Sequence, residues 1–252
     1  MERMDYERPG VAETYARARA LPDEALDLWR DVLRALVPPA GIVRVADVGC
    51  GTGRFTAWLA EVFDATVLGV EPSRRMLAAA PAAPRVRYVN AAGEALPVRG
   101  GALDVAFLSL VYHHFTDPDQ VVRELRRSLR PGGRVIVRTT TREILDGFAY
   151  LRFFPEGLAL DERRMPTRAA LRATFEAGGF VAGAQELVHQ RVARGPIAYV
   201  ARIRRRGIST LPQLSDEAFE RGLTALEAWC RTLAPEHVFF HPLDVFVFAA
   251  PC

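Results

Sequence analysis

Hydrophobic residues in the first part of the chain follow two alternating periods. Short apolar runs bounded by turn residues predict strands, and apolar residues at 3.6-residue spacing between these runs predict helices. The strand-like runs lie at 42–48, 66–70, 86–89, 103–108 and 134–137. Near-continuous apolar strands are typical of a parallel sheet that is covered on both faces. The pattern therefore predicts an α/β fold with a doubly wound, mostly parallel sheet, which we expect to have seven strands.

The regions on either side of this core also have a helical pattern. Before the first strand, apolar residues at helical spacing after Pro22 predict a helix that ends at Pro38-Pro39. After the fifth strand, residues 140–167 mix aromatic residues with arginines. That mixture fits a helical lid over a pocket and a plain amphipathic core helix equally well.

The last third of the chain adds two strands and an insertion. A helix capped by Thr167 precedes a strand near 185–192, and the final strand lies at 244–249. We expect a single domain over residues 1–252. Its parts are an N-terminal cap and helix at 1–40, a core at 41–139, and substrate-side lid or insertion elements at 140–167 and 195–238.

Composition and charge narrow the class of protein. Half of the 252 residues are hydrophobic and a quarter are charged, which is ordinary for a globular domain. The net charge is only +3, and the densest basic cluster, at 202–206, is too short for a continuous nucleic-acid track. All 33 basic residues are arginine, so no lysine can act as a Schiff base or general base.

The cysteines and histidines do not predict a metal site. Cys50, Cys230 and Cys252 lack metal-ligand spacing, and the histidines are not clustered with carboxylates. An odd number of cysteines fits a reducing, cytoplasmic setting. The N-terminal residues lack the apolar core of a signal peptide, and no apolar stretch is long enough to span a bilayer. We expect a soluble cytoplasmic protein with no membrane partner.

The stretch that organises the chain lies at the end of the first strand. The apolar run that ends at Val48 breaks into three glycines at alternate positions, Gly49, Gly51 and Gly53, and a helical pattern begins directly after them. Glycine permits positive φ and lets a ligand approach the backbone without a Cβ in the way. The following helix points unpaired backbone N–H groups and its positive dipole end into the same space. The stretch therefore predicts a loop that surrounds a bound ligand.

Three ligand classes fit such a loop: a dinucleotide, a nucleotide phosphate, and a nucleoside without phosphate. A dinucleotide fingerprint places its third glycine where Thr56 stands, which disfavours an NAD site. A phosphate-binding P-loop requires a lysine, and the sequence has none. What remains is an Asp-x-Gly-x-Gly-x-Gly pattern that begins at Asp47.

This pattern resembles motif I of the class I S-adenosylmethionine (SAM) dependent methyltransferases. The Leu-Arg-Pro-Gly-Gly block at 129–133 is similar to the same family. The resemblance implies a Rossmann-like fold, SAM as the cofactor and S-adenosylhomocysteine (SAH) as the product. It also implies that the loop lies along the methionine and ribose parts of SAM. The loop residues assigned to the cofactor in this way are Asp47, Gly49, Cys50, Gly51 and Gly53.

An acidic residue after the second strand gives a second indication. In open parallel α/β sheets, a carboxylate at this place hydrogen-bonds the ribose hydroxyls of an adenine nucleoside. Glu71 occupies it, twenty residues after Gly51, and we assign Pro72 and Met76, which follow, to the same site. The alternative is an exposed acid that caps the helix beginning near Ser73.

The end of the third strand is where the resemblance places adenine. Many members of the family have an aspartate there that accepts a hydrogen bond from the adenine amino group, and the matching residue here is Ala92. Adenine is then contacted by backbone groups around Ala92 and Gly93, or by Asn90 or Glu94. Ser109, at the tip of the fourth strand, completes the predicted cofactor site.

The candidate general base is His113. It follows the tip of the fourth strand, where ligands bind in such sheets, and imidazole titrates near neutral pH. The alternative is a hydrogen-bonded structural histidine. We assign Tyr112 and His114 to the substrate. Near the N-terminus, Tyr15 and Arg19 are similar to the tyrosine and arginine that the family places by the methionine carboxylate, which assigns Arg19 to the cofactor and Tyr15 to the substrate.

We expect transfer of the SAM methyl group to O, N or C of a small-molecule acceptor by in-line displacement, which requires alignment of the reacting atoms. An RNA or DNA methyltransferase is one rival, supported by the basic cluster at 202–206. The Asn/Asp-Pro-Pro-Tyr/Phe motif of base-amino methyltransferases is absent, since 109–112 reads Ser-Leu-Val-Tyr. A non-catalytic SAM-binding protein is a second rival, supported by Ala92. We expect a monomer or homodimer.

Overall fold

A seven-stranded sheet forms the centre of the protein in this computed structural model, which describes residues 21–252. Its strand order is β3-β2-β1-β4-β5-β7-β6. Neighbouring strands are parallel from β3 to β5, and β7 runs antiparallel to both β5 and β6. The strands are β1 Arg44–Val48, β2 Thr66–Glu71, β3 Val86–Asn90, β4 Leu103–Ser109, β5 Leu129–Thr139, β6 Val181–Arg194 and β7 Val238–Ala249. This confirms the predicted α/β fold with a mostly parallel sheet.

Helices cover both faces of this sheet. Alternate residues of each strand point to opposite faces, so Val45 and Val67 join one core cluster with Trp29, while Ala46 and Val70 join another. The helices are α1 Asp23–Leu36, α2 Thr56–Phe63, α3 Arg74–Ala78, α4 Pro118–Ser128, α5 Pro155–Arg164, α6 Arg168–Ala177, α7 Pro196–Arg204 and α8 Asp216–Cys230. Short 3₁₀ helices lie at Tyr112–His114, Arg142–Gly147, Ala149–Phe153 and Leu211–Gln213.

Most predicted boundaries agree with the structure because the caps are local. Thr167 accepts a hydrogen bond from the N–H of Ala170 at 3.0 Å, and Ser215 accepts one from Ala218 at 3.2 Å. α4 ends at Ser128, and β5 begins at Leu129, earlier than the strand-like run at 134–137, because Gly132 and Gly133 exchange backbone hydrogen bonds with Ala250. β6 is longer than expected because it pairs with β7 along its whole length.

The segments at 140–167 and 195–238 come together in a third hydrophobic cluster. It contains α5, α7 and α8, the 3₁₀ helices at Arg142–Gly147 and Ala149–Phe153, and part of β7. Tyr199 stacks on Phe239 with ring centroids 3.9 Å apart, and its hydroxyl accepts a hydrogen bond from the N–H of Tyr150 at 3.1 Å. This cluster adds a helical layer that is separate from the two faces of the sheet, and its residues reach the site described next.

Candidate active site

The glycine loop links the end of β1 to the start of α2. Gly49, Gly51 and Gly53 all have positive φ, at 72°, 57° and 73°. A Cβ on Gly49 would lie 2.3 Å from a methyl carbon of Val111, and one on Gly53 would lie 2.5 Å from the hydroxyl of Tyr88. Both positions therefore exclude any side chain, by backbone conformation and by close approach.

Glu71 holds this loop against the end of β2. Its side chain is 8% exposed, and its two carboxylate oxygens accept hydrogen bonds from the N–H groups of Gly51 and Ser73, each at 3.0 Å. A carboxylate oxygen accepts more than one hydrogen bond, so these two bonds do not by themselves exclude a bond from a ligand hydroxyl. The side chain is fixed in place before any ligand arrives.

A cavity of about 330 Å³ opens beside these groups. Most residues assigned to the cofactor from sequence line it, together with one residue assigned to the substrate, His114. These lining residues are Gly49, Gly51, Glu71, Pro72, Met76, Ala92, Gly93, Glu94, Ser109 and His114. We call this space the cofactor cavity. Its location at the carboxyl ends of β1, β2 and β4 is where ligands bind in open α/β sheets.

Asp47, Cys50 and Gly53 do not line the cofactor cavity. Asp47 is buried and accepts a hydrogen bond from the Thr56 hydroxyl at 2.7 Å, which ties β1 to the first turn of α2. Burial raises the pKa of Asp47 to about 7. Burial also raises the pKa of the Cys50 thiol, so the thiolate that a nucleophile requires is disfavoured. These residues therefore support the loop from its buried side.

The residues that the sequence assigns to the substrate and to catalysis also lie in different places. Tyr112 lines neither cavity, because its ring is 8% exposed and stacks against Phe175 with centroids 6.3 Å apart. His113 lines a second, smaller cavity, and its ring lies 4.1 Å from that of His114. Tyr15 and Arg19 lie outside the described residues.

The wall of the cofactor cavity around Ala92, where the sequence resemblance places adenine, is mostly apolar. Val111 and Phe115 line it beside Ala92, and a Cβ on Gly93 would lie 3.2 Å from the Phe115 ring. The nearest acidic side chain of this wall is Glu94, whose carboxylate accepts a hydrogen bond from the N–H of Thr116 at 3.1 Å. Apolar packing and the Glu94 carboxylate therefore line the part of the wall where Ala92 provides no polar side chain.

A second cavity, of about 60 Å³, lies next to the first, and Leu110 lines both. Leu110 has φ of 56°, which is unusual for a residue other than glycine and is typical of strained functional sites. Its N–H donates to the carbonyl of Arg138 at 2.8 Å, which fixes this conformation at the tip of β4. We call the second space the acceptor-side cavity. It also contains arginines and aromatic residues from the helical cluster.

Arg138 is the residue that sequence analysis missed most clearly. It is 1% exposed, and its guanidinium donates to the Ser109 hydroxyl at 2.9 Å and to the side-chain carbonyl of Gln190 at 2.5 Å. Trp29 donates to the same Gln190 oxygen at 2.8 Å and lies under the guanidinium at 4.3 Å. An arginine directly after the apolar run 134–137 was the available signal.

Residues 21–252 contain no group of three or more candidate metal ligands. Within the same residues, no helix is long and apolar enough to cross a membrane.

Comparisons with known proteins agree with this geometry. Residues 46–137 match the model of a family described as a methyltransferase domain. An uncharacterised methyltransferase of Mycobacterium leprae is 39% identical over 140 residues, which cover 54% of this chain and 50% of the relative. A trans-aconitate 2-methyltransferase of Deinococcus radiodurans is 37% identical over 109 residues, which cover 42% of this chain and 41% of the relative.

A solved structure extends the similarity of fold beyond the matched core. It comes from Anabaena variabilis and is described as a methyltransferase of an antibiotic biosynthesis pathway. It aligns with a TM-score of 0.73 at 21% identity and covers 88% of this chain and 96% of that one. At this identity the likeness concerns the fold alone.

Residues 46–137 of this chain are similar to the class I SAM-dependent methyltransferases, the family whose cofactor is SAM. The cofactor cavity fits that ligand. Gly49 and Gly51 line it with backbone at positive φ, and the Glu71 carboxylate lies in the same lining as a hydrogen-bond acceptor, the type of group that ribose hydroxyls require. The chain spans about half the length of the curated relatives it matches.

Proposed function

We propose that this protein transfers the methyl group of SAM to a small organic acceptor. The observation that carries the proposal is the meeting of the glycine loop and the Glu71 carboxylate at one cavity. The loop offers a backbone surface to the methionine and ribose parts of the ligand. Glu71 offers acceptors for the two ribose hydroxyls, in the place that adenine nucleosides use in such sheets.

Bound SAM supplies an electrophilic methyl carbon: the bond from acceptor to carbon forms as the sulfur–carbon bond breaks, and the electron pair stays on sulfur. The protein contributes alignment of the acceptor, which lowers such barriers by roughly 7–11 kcal/mol in favourable cases. The cofactor cavity and the acceptor-side cavity share Leu110 as a common wall. We propose that methyl transfer takes place across this wall.

His113 is our proposed general base. It lines the acceptor-side cavity, so its imidazole is placed to take a proton from a hydroxyl or a protonated amine of the acceptor. An acceptor atom that carries no proton, such as a carboxylate oxygen, needs no base. A His113→Gln variant therefore tests the nature of the nucleophile: transfer slows for hydroxyl acceptors and persists for carboxylate acceptors.

Several observations favour a small molecule over a nucleic acid as the acceptor. Within the basic cluster at 202–206, Arg204 pairs with Glu227, Arg206 pairs with Asp216, and Arg202 lines the acceptor-side cavity. Arg204 and Arg206 therefore form ion pairs within the protein. The Deinococcus radiodurans relative is named for methylation of a small organic molecule. A cytoplasmic location and a monomeric or homodimeric state remain part of the proposal.

Calorimetry with SAH tests the proposal directly. We expect SAH to bind at one site per chain, and we expect transfer of a radiolabelled methyl group from SAM to at least one acceptor in a broad small-molecule panel. Absence of SAH binding to the folded protein would refute the proposal. SAH binding without any turnover would favour the non-catalytic rival, and steep salt dependence of tRNA binding would favour the nucleic-acid rival.

A further inference from the structure

We propose that Gln190 binds the methyl acceptor, by donating hydrogen bonds from its side-chain amide to a carbonyl or carboxylate oxygen that the methyl acceptor carries. This inference rests on the proposed function and names a chemical group of its substrate. It depends on the orientation of the Gln190 amide, on the partners of its nitrogen, and on the surroundings of the side chain in the acceptor-side cavity.

The contacts of Gln190 fix which way its amide points. The side-chain oxygen accepts hydrogen bonds from Nε1 of Trp29 at 2.8 Å and from the Arg138 guanidinium at 2.5 Å. Both of these groups can only donate, so the atom that they share is the amide oxygen and not the nitrogen. An amide oxygen has two lone pairs, and these two bonds use both. What the side chain offers to a ligand is therefore its NH₂ group.

The amide nitrogen of Gln190 has no protein partner within residues 21–252. The two hydrogen bonds of this side chain are those to its oxygen, from Trp29 and Arg138. Gln190 is 4% exposed, and it lines the acceptor-side cavity. Its nitrogen is not among the unpartnered polar atoms that are sealed off inside the protein, so it reaches the space of this cavity. A ligand in the cavity therefore meets two N–H donors.

Gln190 is held on the sheet, and this gives its donors a fixed direction. It lies on β6 directly opposite His241 of β7, and opposite residues of an antiparallel pair project from the same face. Both side chains line the acceptor-side cavity. A group on paired strands is positioned more precisely than one on a loop.

The surroundings of the amide strengthen its donors. The His241 ring lies 4.9 Å from the Phe148 ring, and Leu243 lines the same cavity, so the neighbourhood is partly apolar. A hydrogen bond is electrostatically stronger in such a medium, and a donor that stays unpaired there is costly. The bond that the Gln190 oxygen accepts from Arg138 also polarises the amide, which makes its N–H groups better donors.

Two N–H donors on one nitrogen select an oxygen with lone pairs. A carbonyl or carboxylate oxygen fits, because it accepts and has no proton of its own to place. A hydroxyl brings a proton that needs a further partner, and an ammonium has no lone pair to offer. Gln190 lines the acceptor-side cavity and is absent from the described lining of the cofactor cavity. The bound oxygen therefore serves to orient the methyl acceptor.

Side-chain amide signals in a nitrogen-15 NMR spectrum of the full chain saturated with SAH test this contact. The chain has four glutamines and one asparagine, so few such signals are present, and the Gln190 pair is the one that Gln190→Glu removes. The probes are acetophenone, benzoate and α-methylstyrene, which share a ring. Acetophenone and α-methylstyrene also share their shape and differ in the oxygen.

We expect acetophenone or benzoate to shift the Gln190 pair in a saturable way, with a change that α-methylstyrene does not produce. The shared ring cancels effects of mere proximity, so the difference reports the oxygen. Tighter binding of acetophenone than of benzoate assigns a carbonyl group to the methyl acceptor, and the reverse order assigns a carboxylate.

Gln190→Glu separates recognition from a structural role. It keeps an oxygen for Trp29 and Arg138 and replaces the NH₂ group by a second oxygen. We expect the affinity for the oxygen-bearing probe to fall about tenfold or more, and that for α-methylstyrene to change less than about threefold. If α-methylstyrene does not bind the wild type at all, the oxygen is required for binding, which supports the inference without the variant.

Gln185→Glu is the matched control, because it makes the same substitution at an exposed position of the same strand. It should leave the binding of every probe unchanged. The inference is overturned if acetophenone and benzoate leave the Gln190 pair unshifted at about 10 mM. It is also overturned if acetophenone and α-methylstyrene shift this pair alike, or if Gln190→Glu weakens both by the same factor. Failure of SAH to bind refutes the proposed function instead, so the two failures are distinguishable.

Discussion

The two cavities that meet at Leu110 are built in different ways. The described lining of the cofactor cavity comes from one stretch of sequence, between Gly49 and Thr116. The acceptor-side cavity is lined by residues from Leu21 to Leu243, including side chains of β5, β6, β7 and the helical cluster. One cavity is a local motif of loops after parallel strands, and the other is an assembly of distant segments.

The two cavities also differ in the groups that they offer to a ligand. The cofactor cavity depends on a glycine backbone at positive φ and on one carboxylate that backbone N–H groups hold in place. The acceptor-side cavity depends on long side chains, among which Arg138 and Gln190 join two sheet strands. A family that keeps one cofactor and changes its acceptor needs this division, since loops and inserted helices vary more freely than the core.

The largest expected effect tests the long-range assembly. In Gln190→Leu, Trp29 and Arg138 lose the acceptor that they share, and a lost acceptor costs about 1–3 kcal/mol for each buried donor. We expect the free energy of unfolding to fall by about 2–5 kcal/mol, measured by urea denaturation.

Gln185→Leu is the matched control for this change. Gln185 lies on the same strand, is exposed and accepts a hydrogen bond from Arg172 at 3.1 Å. Its loss should change stability by no more than about 0.5 kcal/mol. Equal effects of the two substitutions would mean that the buried network contributes nothing of its own.

The sequence predicts the cofactor cavity well because that cavity is local. Three glycines after one strand and an acid at the end of the next have few structural interpretations. Their spacing in the sequence is enough to place both groups at the same edge of the sheet. The roles of Asp47 and Gly53 were less visible, since their contacts to Thr56 and Tyr88 depend on how the loop folds back.

The acceptor-side cavity could not be predicted from periodicity. Arg138 looks like a strand residue and Gln190 like a surface residue until β5, β7 and β6 pair and bring both toward Trp29. Neither a leucine nor the residues around it in the sequence indicate the positive φ of Leu110. The strand 129–139 is longer than the apolar run at 134–137 for a related reason, since Gly132 and Gly133 pair with Ala250 on a distant strand.

The second prediction tests close approach in the cofactor cavity. Gly49→Ala introduces a Cβ at positive φ and places it 2.3 Å from Val111. We expect a loss of about 2–4 kcal/mol of folding stability, the sum of a left-handed backbone cost and an overpacking cost. Gly41→Ala is the control, because Gly41 has φ of 78° with nothing near its Cβ position. It should cost only the backbone part, about 1–2 kcal/mol. Equal losses would show that Val111 moves aside freely.

The third prediction concerns the carboxylate of the cofactor cavity. Glu71→Ala removes the acceptor for ribose hydroxyls and frees the N–H groups of Gly51 and Ser73. A hydrogen bond to a charged group contributes about 1.5–3 kcal/mol, so the SAH dissociation constant should rise roughly 10- to 150-fold in calorimetry. Glu61→Ala, which removes an exposed acid from α2, should leave the SAH affinity unchanged. An unaltered affinity in Glu71→Ala would mean that this carboxylate does not contact the ligand.

The fourth prediction concerns the pH dependence of stability and Asp47, the buried acid beneath the cofactor cavity. Burial raises its pKa in the folded protein from 3.8 to about 7. Between these values the native state keeps a proton that the unfolded state has lost. Wild-type stability should therefore fall by about 1.4 kcal/mol per pH unit from pH 5 to 6 relative to Asp47→Asn, which has no proton to release.

The comparison of wild type with Asp47→Asn isolates this one group, because all other titrations occur in both proteins. Urea denaturation at several pH values between 4 and 8 measures the difference, which should level off above pH 7. A flat difference for Asp47→Asn would mean that Asp47 is ionised throughout. The acid would then hold the Thr56 hydroxyl as a carboxylate, and the floor of the cofactor cavity would carry a negative charge beneath the glycine loop.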